Sequence, residues 1–283
     1  MKISVCMITY GHSQFIKQAV LGVLNQKTKF EVELIIADDC SPDNTQQILK
    51  DIIKNYPDGQ RIKYTRHSQN KGMMNNFIWA LRECSGNYIA LCEGDDYWTD
   101  EYKLQKQVDF LEANEDYAIC FHEAFVLYPD GTERLFNNIE ENGTFDFLDL
   151  TQKNFISTAS CVFRVYNHIH SMPGWFYNLS AGDWGLHLLN ASKGKIFYLK
   201  DAMSVYRNHD QGVWTSLTPE QMFNSGIKMV DQLNTAFDYK YNDYFEKGKA
   251  KRVVGYNLQT SNPVVHQETH LTKLKRKIKK YLS

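Results

Sequence analysis

The chain has 283 residues, 43% of them hydrophobic and 13% aromatic, enough apolar material for one large or two small packed cores and too much for a disordered chain. Its 32 basic and 33 acidic side chains nearly cancel, so the average field favours neither nucleic acid nor an acidic partner. The balance is uneven: six of the basic residues and no acid lie in Leu271–Ser283, so an acidic body carries a basic tail.

The first hundred residues alternate short apolar runs with helical periodicities, the signature of βαβ units on a mostly parallel sheet. Ile3 to Thr9 predicts a buried strand. Ser13 is the expected cap of a helix carrying Phe15, Ile16, Ala19, Val20, Val23 and Leu24 at helical spacing, and Glu31 to Ala37 predicts the next strand. Ser41 and Pro42 read as cap and first position of a helix with Ile48, Leu49, Ile52 and Ile53 on one face. Arg61 to Thr65 predicts a third strand, Met73 to Leu81 a third helix, and Tyr88 to Cys92 a fourth strand. A helix from Glu101 to Asn114 and a strand from Tyr117 to Tyr128 follow, then a loop-rich stretch to Asn154 and a mixed segment to Tyr206. Beyond Pro219 the pattern is helical, interrupted near Asn262-Pro263.

The N-terminus lacks the long apolar region of a secretory signal, which predicts a cytoplasmic protein. The longest uncharged stretch, Val165 to Gly182, contains Pro173 and Gly174 and cannot span a bilayer. Six cysteines without CxxC spacing predict neither a disulfide framework nor a zinc site.

Each early strand ends in a polar cluster, where ligands of open α/β sheets bind. These ends carry Thr9-Tyr10-Gly11, Asp38-Asp39-Cys40-Ser41, His67 to Gly72 and Glu93-Gly94-Asp95-Asp96. No GxGxxG and no GxxxxGK[ST] occurs, so the usual dinucleotide and phosphate-loop fingerprints are absent. Three carboxylates within Glu93 to Asp96, directly after an apolar strand, repel one another unless a hard divalent cation sits among them. The alternative is an acidic turn that caps the following helix.

Six stretches together resemble the family 2 glycosyltransferases of GT-A fold. They are VCMITYGHSQFIKQAVLGVLNQ (Val5 to Gln26), LIIADDCSPDNT (Leu34 to Thr45), NKGMMNNFIWAL (Asn70 to Leu81), GNYIALCEGDDYW (Gly86 to Trp98), GDWGL (Gly182 to Leu186) and YRNHDQGVW (Tyr206 to Trp214). The resemblance implies a nucleotide-sugar-binding α/β fold with a mostly parallel central sheet flanked by helices. Thr9, Tyr10 and Asp39, with Asp38 sharing the task, would hold the nucleoside. Glu93-Gly94-Asp95 stands where the family has DxD, which makes Asp95 the ligand of Mn²⁺ or Mg²⁺ and leaves Glu93, one methylene longer than aspartate, to act on the ribose or through water. Asp183 matches the catalytic base of an inverting transfer. His209 matches a histidine that completes the metal site or touches the diphosphate, and Arg207 and Trp214 would order a lid over it.

The implied activity is metal-dependent transfer of a sugar from a nucleoside diphosphate donor, a UDP-sugar, to a hydroxyl of a glycan or lipid-linked glycan, in bacterial surface polysaccharide assembly. A nucleotidyltransferase, and a module that binds nucleotide sugars without turnover, are the competing readings. Residues 1–215 are expected to form the catalytic domain, with a nucleotide-binding half (1–100) and an acceptor-side half (101–215), followed by a helical extension (216–283). In its tail, Leu271, Leu274, Ile278 and Leu282 fall at helical spacing among lysines, which suits an anionic membrane surface or an apolar face of the body equally. His266 and His270 lack the flanking glutamate of a zinc protease motif and read as solvated.

Overall fold

The computed structural model describes residues 1–210, 212 and 215–261. The chain divides into two compact units, Met1–Thr218 and Pro219–Ser283. The first unit begins with β1 (Lys2–Thr9), α1 (Ile16–Leu24), β2 (Glu31–Asp38), α2 (Thr45–Asn55), β3 (Ile62–Arg66), α3 (Met73–Glu83) and β4 (Tyr88–Leu91). It continues with β5 (Tyr97–Trp98), α4 (Lys103–Ala113), β6 (Tyr117–Leu127), β7 (Glu133–Leu135), β8 (Gly143–Phe145), α5 (Phe147–Gln152), β9 (Val162–Arg164), α6 (Gly182–Ala191) and β10 (Lys195–Arg207).

These ten strands form one sheet in the order β3-β2-β1-β4-β9-β6-β10-β5, with β7 added to β6 and β8 to β10. Strands β1 to β4 are mutually parallel, and β6 and β10 form a second parallel pair. Between the two parallel parts runs β9, antiparallel to both β4 and β6. Strands β1 to β4, β6 and β10 thus share one direction; β9 interrupts them, and β5, β7 and β8 pair antiparallel with β6 or β10.

Strand β1 lies at the heart of the first part. Ile3, Val5 and Met7 pack into a core with Ile16, Ala19 and Val20 of α1 and with Leu34 and Ile36 of β2. Ser4 and Cys6, on the opposite face, are buried as well. A strand covered on both sides needs a near-continuous apolar run, which Val5 to Ile8 supplies, while the buried Ser4 hydroxyl donates to Glu33. Each fully buried Ile or Leu contributes about 1.5–3 kcal/mol.

Two helix starts differ from the sequence reading. Ser13 does not cap α1: its hydroxyl and its backbone N–H, the latter at 2.8 Å, both go to Asp43, and the helix begins three residues later. Ser41 does not cap α2, because its Oγ accepts the Gly11 N–H at 3.0 Å; that helix starts at Thr45, whose N–H and Oγ both reach Asp43 Oδ1. Both serines are spent on the loops of the site. All six cysteines are free.

The stretch expected to be loop-rich up to Asn154 holds β7, β8 and α5. A buried carboxylate organises its start: Glu123 accepts the N–H groups of Ala124 and Asn137 on one oxygen, and the Asn138 N–H and Tyr198 hydroxyl on the other. All but Ala124 lie 14 or more positions away, so local periodicity carries no trace of them.

The second unit contains α7 (Pro219–Ala236) and α8 (Asn242–Ser261). Asp238 and Tyr239 adopt φ of 51° and 57° between them, a break that neither glycine nor proline signals. Phe223 and Tyr256 stack at 4.3 Å between ring centres, and Phe245 is fully buried. The Asn262-Pro263 interruption, His266, His270 and the basic tail lie outside the described residues.

Candidate active site

The carboxyl ends of β1, β2 and β4 lie side by side. After β1 the chain turns at Gly11, with φ of 72°. Thr9 is buried, whereas Tyr10 is 49% exposed and presents its ring to solvent. After β2, Asp38 is enclosed: Oδ1 accepts the Ser41 N–H at 2.7 Å, Oδ2 accepts the Tyr64 hydroxyl at 2.8 Å, and Arg66 stands 3.9 Å away. Asp39 accepts the N–H groups of Lys71 and Gly72 at 2.7 and 2.9 Å, which ties the loop before α3 to the end of β2. Both aspartates thus shape loops at this edge.

The acidic turn after β4 is pressed against β1. The Gly94 N–H donates to the Ile8 carbonyl at 2.9 Å. A Cβ at Gly94 would lie 2.7 Å from Thr9 Oγ1 and 3.0 Å from His12 Nδ1, so only glycine lets the turn sit this deep. The flanking carboxylates pay for the depth with altered acidity: burial, then Asp95 and Asp183, push the Glu93 carboxyl up to about 8. Burial, then Asp95 and Glu93, raise Asp96 well above the usual carboxylate range. Asp96 Oδ1 accepts the Arg207 N–H at 2.9 Å. The Arg207 guanidinium donates to the Asp95 carbonyl and to Gln18 and lies 4.2 Å from the centre of the Tyr97 ring. Its planar charge braces the turn from the β10 side.

Asp95 has a different environment from its neighbours. Its Oδ2 lies 3.1 Å from His209 Nε2 and 3.6 Å from His12 Nε2, and its side chain is 20% exposed. Burial pushes its carboxyl up, but the two histidines outweigh burial and hold it below the ordinary range. The His209 ring also packs on Phe15, 4.7 Å between centres. Adjacent ligands of one octahedral divalent ion are about 3 Å apart, from metal–ligand distances near 2.1 Å. The Asp95–His209 pair has that spacing. Among the described residues no group of three or more His, Cys, Asp or Glu side chains is gathered to hold a metal. In the structure the two side chains are joined directly by a hydrogen bond.

Asp183 enters from α6. The start of that helix packs on α3, where a Cβ at Gly182 would fall 2.8 Å from the Phe77 ring, and Trp184 Nε1 donates to the Leu150 carbonyl of α5 at 2.8 Å. Asp183 Oδ2 accepts from Asn154 Nδ2 at 2.8 Å. Burial raises the Asp183 carboxyl, opposed by the Trp184 N–H and the Asn154 amide. The Tyr206 hydroxyl is raised by burial and by the surrounding Asp96, Glu93, Asp95 and Asp183. The turn after β4, α6 and β10 therefore bring these groups within electrostatic reach of one another.

The structure brings together Glu93, Asp95, Asp183 and His209. It leaves Thr9 and Asp38 buried behind them, with Tyr10 and Asp39 at the neighbouring strand ends. His12, Gln18 and Asn154 join the site without having been expected from sequence; His12 stands two residues after Tyr10 and was the one most open to notice. Trp214 lies outside the described residues.

Known proteins share the sequence pattern and the fold of this chain. Residues 4–169 match Glycosyl transferase family 2, and the chain belongs to that family. An uncharacterized protein of Mycobacterium tuberculosis is 38% identical over 214 residues, covering 75% of this chain and 60% of that protein. The chain thus spans about three fifths of that relative's length. GalNAc(5)-diNAcBac-PP-undecaprenol beta-1,3-glucosyltransferase of Campylobacter jejuni is 26% identical over 214 residues, 73% of this chain and 64% of that enzyme. Among solved structures, S. aureus TarS 1-349 in complex with UDP superposes with a TM-score of 0.65 at 19% identity, covering 93% of this chain and 74% of the other. That likeness shows the GT-A fold.

Proposed function

We propose that this chain is an inverting glycosyltransferase that moves a sugar from a UDP-sugar to a hydroxyl of a glycan or lipid-linked glycan, in bacterial surface polysaccharide synthesis. The observation that carries the reading is the Asp183 carboxylate, delivered by α6 into the electrostatic reach of Glu93 in the acidic turn. A base on one side and an acidic seat for a cation-bound diphosphate on the other are what displacement at an anomeric carbon requires. Asp183 takes the proton of the attacking hydroxyl. Tyr10 packs on the nucleoside, whose polar groups are met at the strand ends by Asp39, with Thr9 and Asp38 supporting the loops around them. Asp95 and His209 would hold Mn²⁺ or Mg²⁺, which would supply charge neutralisation of the leaving diphosphate, and Glu93 would serve the ribose or the cation's water shell. The bacterial setting and the lipid-linked acceptor rest on the kind of substrate that the Campylobacter relative is named for.

In this reading residues 1–215 are catalytic and 216–283 form a helical extension. Among the described residues no helix is long and apolar enough to cross a membrane. We propose that the basic tail instead holds the enzyme on the inner membrane face, each lysine contributing about 1 kcal/mol near an anionic surface. Removal of residues 271–283 is expected to abolish salt-sensitive sedimentation with phosphatidylserine vesicles while leaving donor hydrolysis intact.

The deciding experiment is a panel of UDP-glucose, UDP-galactose, UDP-N-acetylglucosamine and GDP-mannose with Mn²⁺ or Mg²⁺, followed by nucleoside diphosphate release and NMR of the sugar product. Turnover of a UDP-sugar with inverted anomeric configuration is expected. A retained configuration overturns the mechanism.

A further inference from the structure

We infer that Asn154 is a positioning residue for the Asp183 carboxylate, oriented by a hydrogen-bond relay that starts at the buried Glu123. The inference rests on the reading of Asp183 as the base. Asn154 belongs to the irregular segment after α5, far in sequence from every motif that resembles the family.

The orientation of its amide follows from donor and acceptor chemistry. The Ile156 backbone N–H can only donate, and it reaches Asn154 Oδ1 at 3.2 Å. The amide nitrogen is therefore the end that faces Asp183 Oδ2, 2.8 Å away. The segment itself is pinned from β6: Glu123 Oε1 accepts the Asn137 N–H at 3.0 Å, and Asn137 Nδ2 donates to the Phe155 carbonyl at 2.8 Å. Phe155 lies between Asn154 and Ile156, so one buried carboxylate fixes the loop that aims the amide.

An amide donor on one oxygen does two things for a base. It stops the carboxylate from rotating away from the acceptor hydroxyl, and it favours the ionised form against the burial that raises this group. The other titratable groups that share the field of Asp183 are Glu93 in the turn after β4, Cys161 before β9 and Tyr206 on β10. Substitution at Asn154 leaves all three in place.

Asn154→Asp is the sharpest test because it is isosteric and keeps the acceptor for Ile156, yet it replaces the donor with a like charge. UDP release from the donor selected by the panel is expected to fall in kcat by about 10–100-fold with KM changed less than twofold. The acid limb of the kcat–pH profile is expected to move up by about one unit or more. Asn154→Ala, compared at matched thermal stability, should move kcat and the acid limb in the same directions by less. A role confined to loop structure would leave that limb in place. If Asp183→Asn is inactive while both Asn154 variants keep the wild-type kcat and acid limb, this inference fails alone. If Asp183→Asn turns over normally, the base assignment falls and this inference with it.

Discussion

The two ends of the parallel strands treat buried carboxylates in opposite ways. At the amino end, Glu33 of β2 is 4% exposed and fully matched: Lys2 and Lys63 stand 2.7 Å from Oε2, while Ser4 Oγ and the N–H and hydroxyl of Ser85 donate to Oε1. These partners, opposed only by burial, hold its carboxyl far below the usual range. At the carboxyl end, Glu93 and Asp96 are raised by burial and by each other's neighbours. Matched charge stabilises a fold, and crowded like charge left without enough cations is strain held for a ligand. The contrast sets a structural clasp apart from the candidate site without reference to any motif.

The largest effect is expected from removing the base. Asp183→Asn keeps the size of the side chain but cannot take the acceptor proton, so turnover should fall by roughly 10²–10⁴ with UDP affinity little altered. Near-normal turnover in a steady-state assay would erase the distinction between the two ends. Asp95→Ala should next remove the metal-dependent part of UDP binding, at least about tenfold in affinity by calorimetry with and without Mn²⁺. Unchanged, metal-dependent affinity would move the cation elsewhere.

The amino end should respond in stability and not in rate. Glu33→Gln leaves Lys2 and Lys63 without their shared anion and should cost about 2 kcal/mol at pH 7 in a urea titration. Because the folded state depresses this carboxyl, its contribution is present above the unfolded value near 4.5 and is lost as pH falls through the folded one. The gap between wild type and variant should therefore narrow in acid. A gap that stays constant with pH would mean that the clasp acts through packing alone.

The same contrast explains what could be read from the chain unaided. The first four strands and their helices were legible because each is a local pattern: apolar runs for β1, β2 and β4, and 3.6-residue periodicity for α1 and α3. Asp95, Asp183 and His209 stand in motifs whose order resembles the family, and the fold sets Asp95 beside His209. The starts of α1 and α2 were misplaced because Ser13 and Ser41 serve partners about 30 positions away, where a cap rule expects a partner two or three residues on. Asn154 and Glu123 were invisible for the same reason. Their value lies in who faces them across the sheet and loops, and nothing within a ten-residue window records that.

Gly94 carries a consequence for how this site can vary over generations. Thr9 Oγ1, Thr9 Cβ and His12 Nδ1 already fill the space that any side chain at position 94 would enter, so positions 9 and 94 share a single volume. A descendant that gains a methyl group at 94 must lose bulk at 9 or shift the acidic turn outward from β1. Paired change at these two positions would therefore mark lineages that kept the depth of this turn, and an unpaired change at 94 would mark lineages in which the turn was rebuilt.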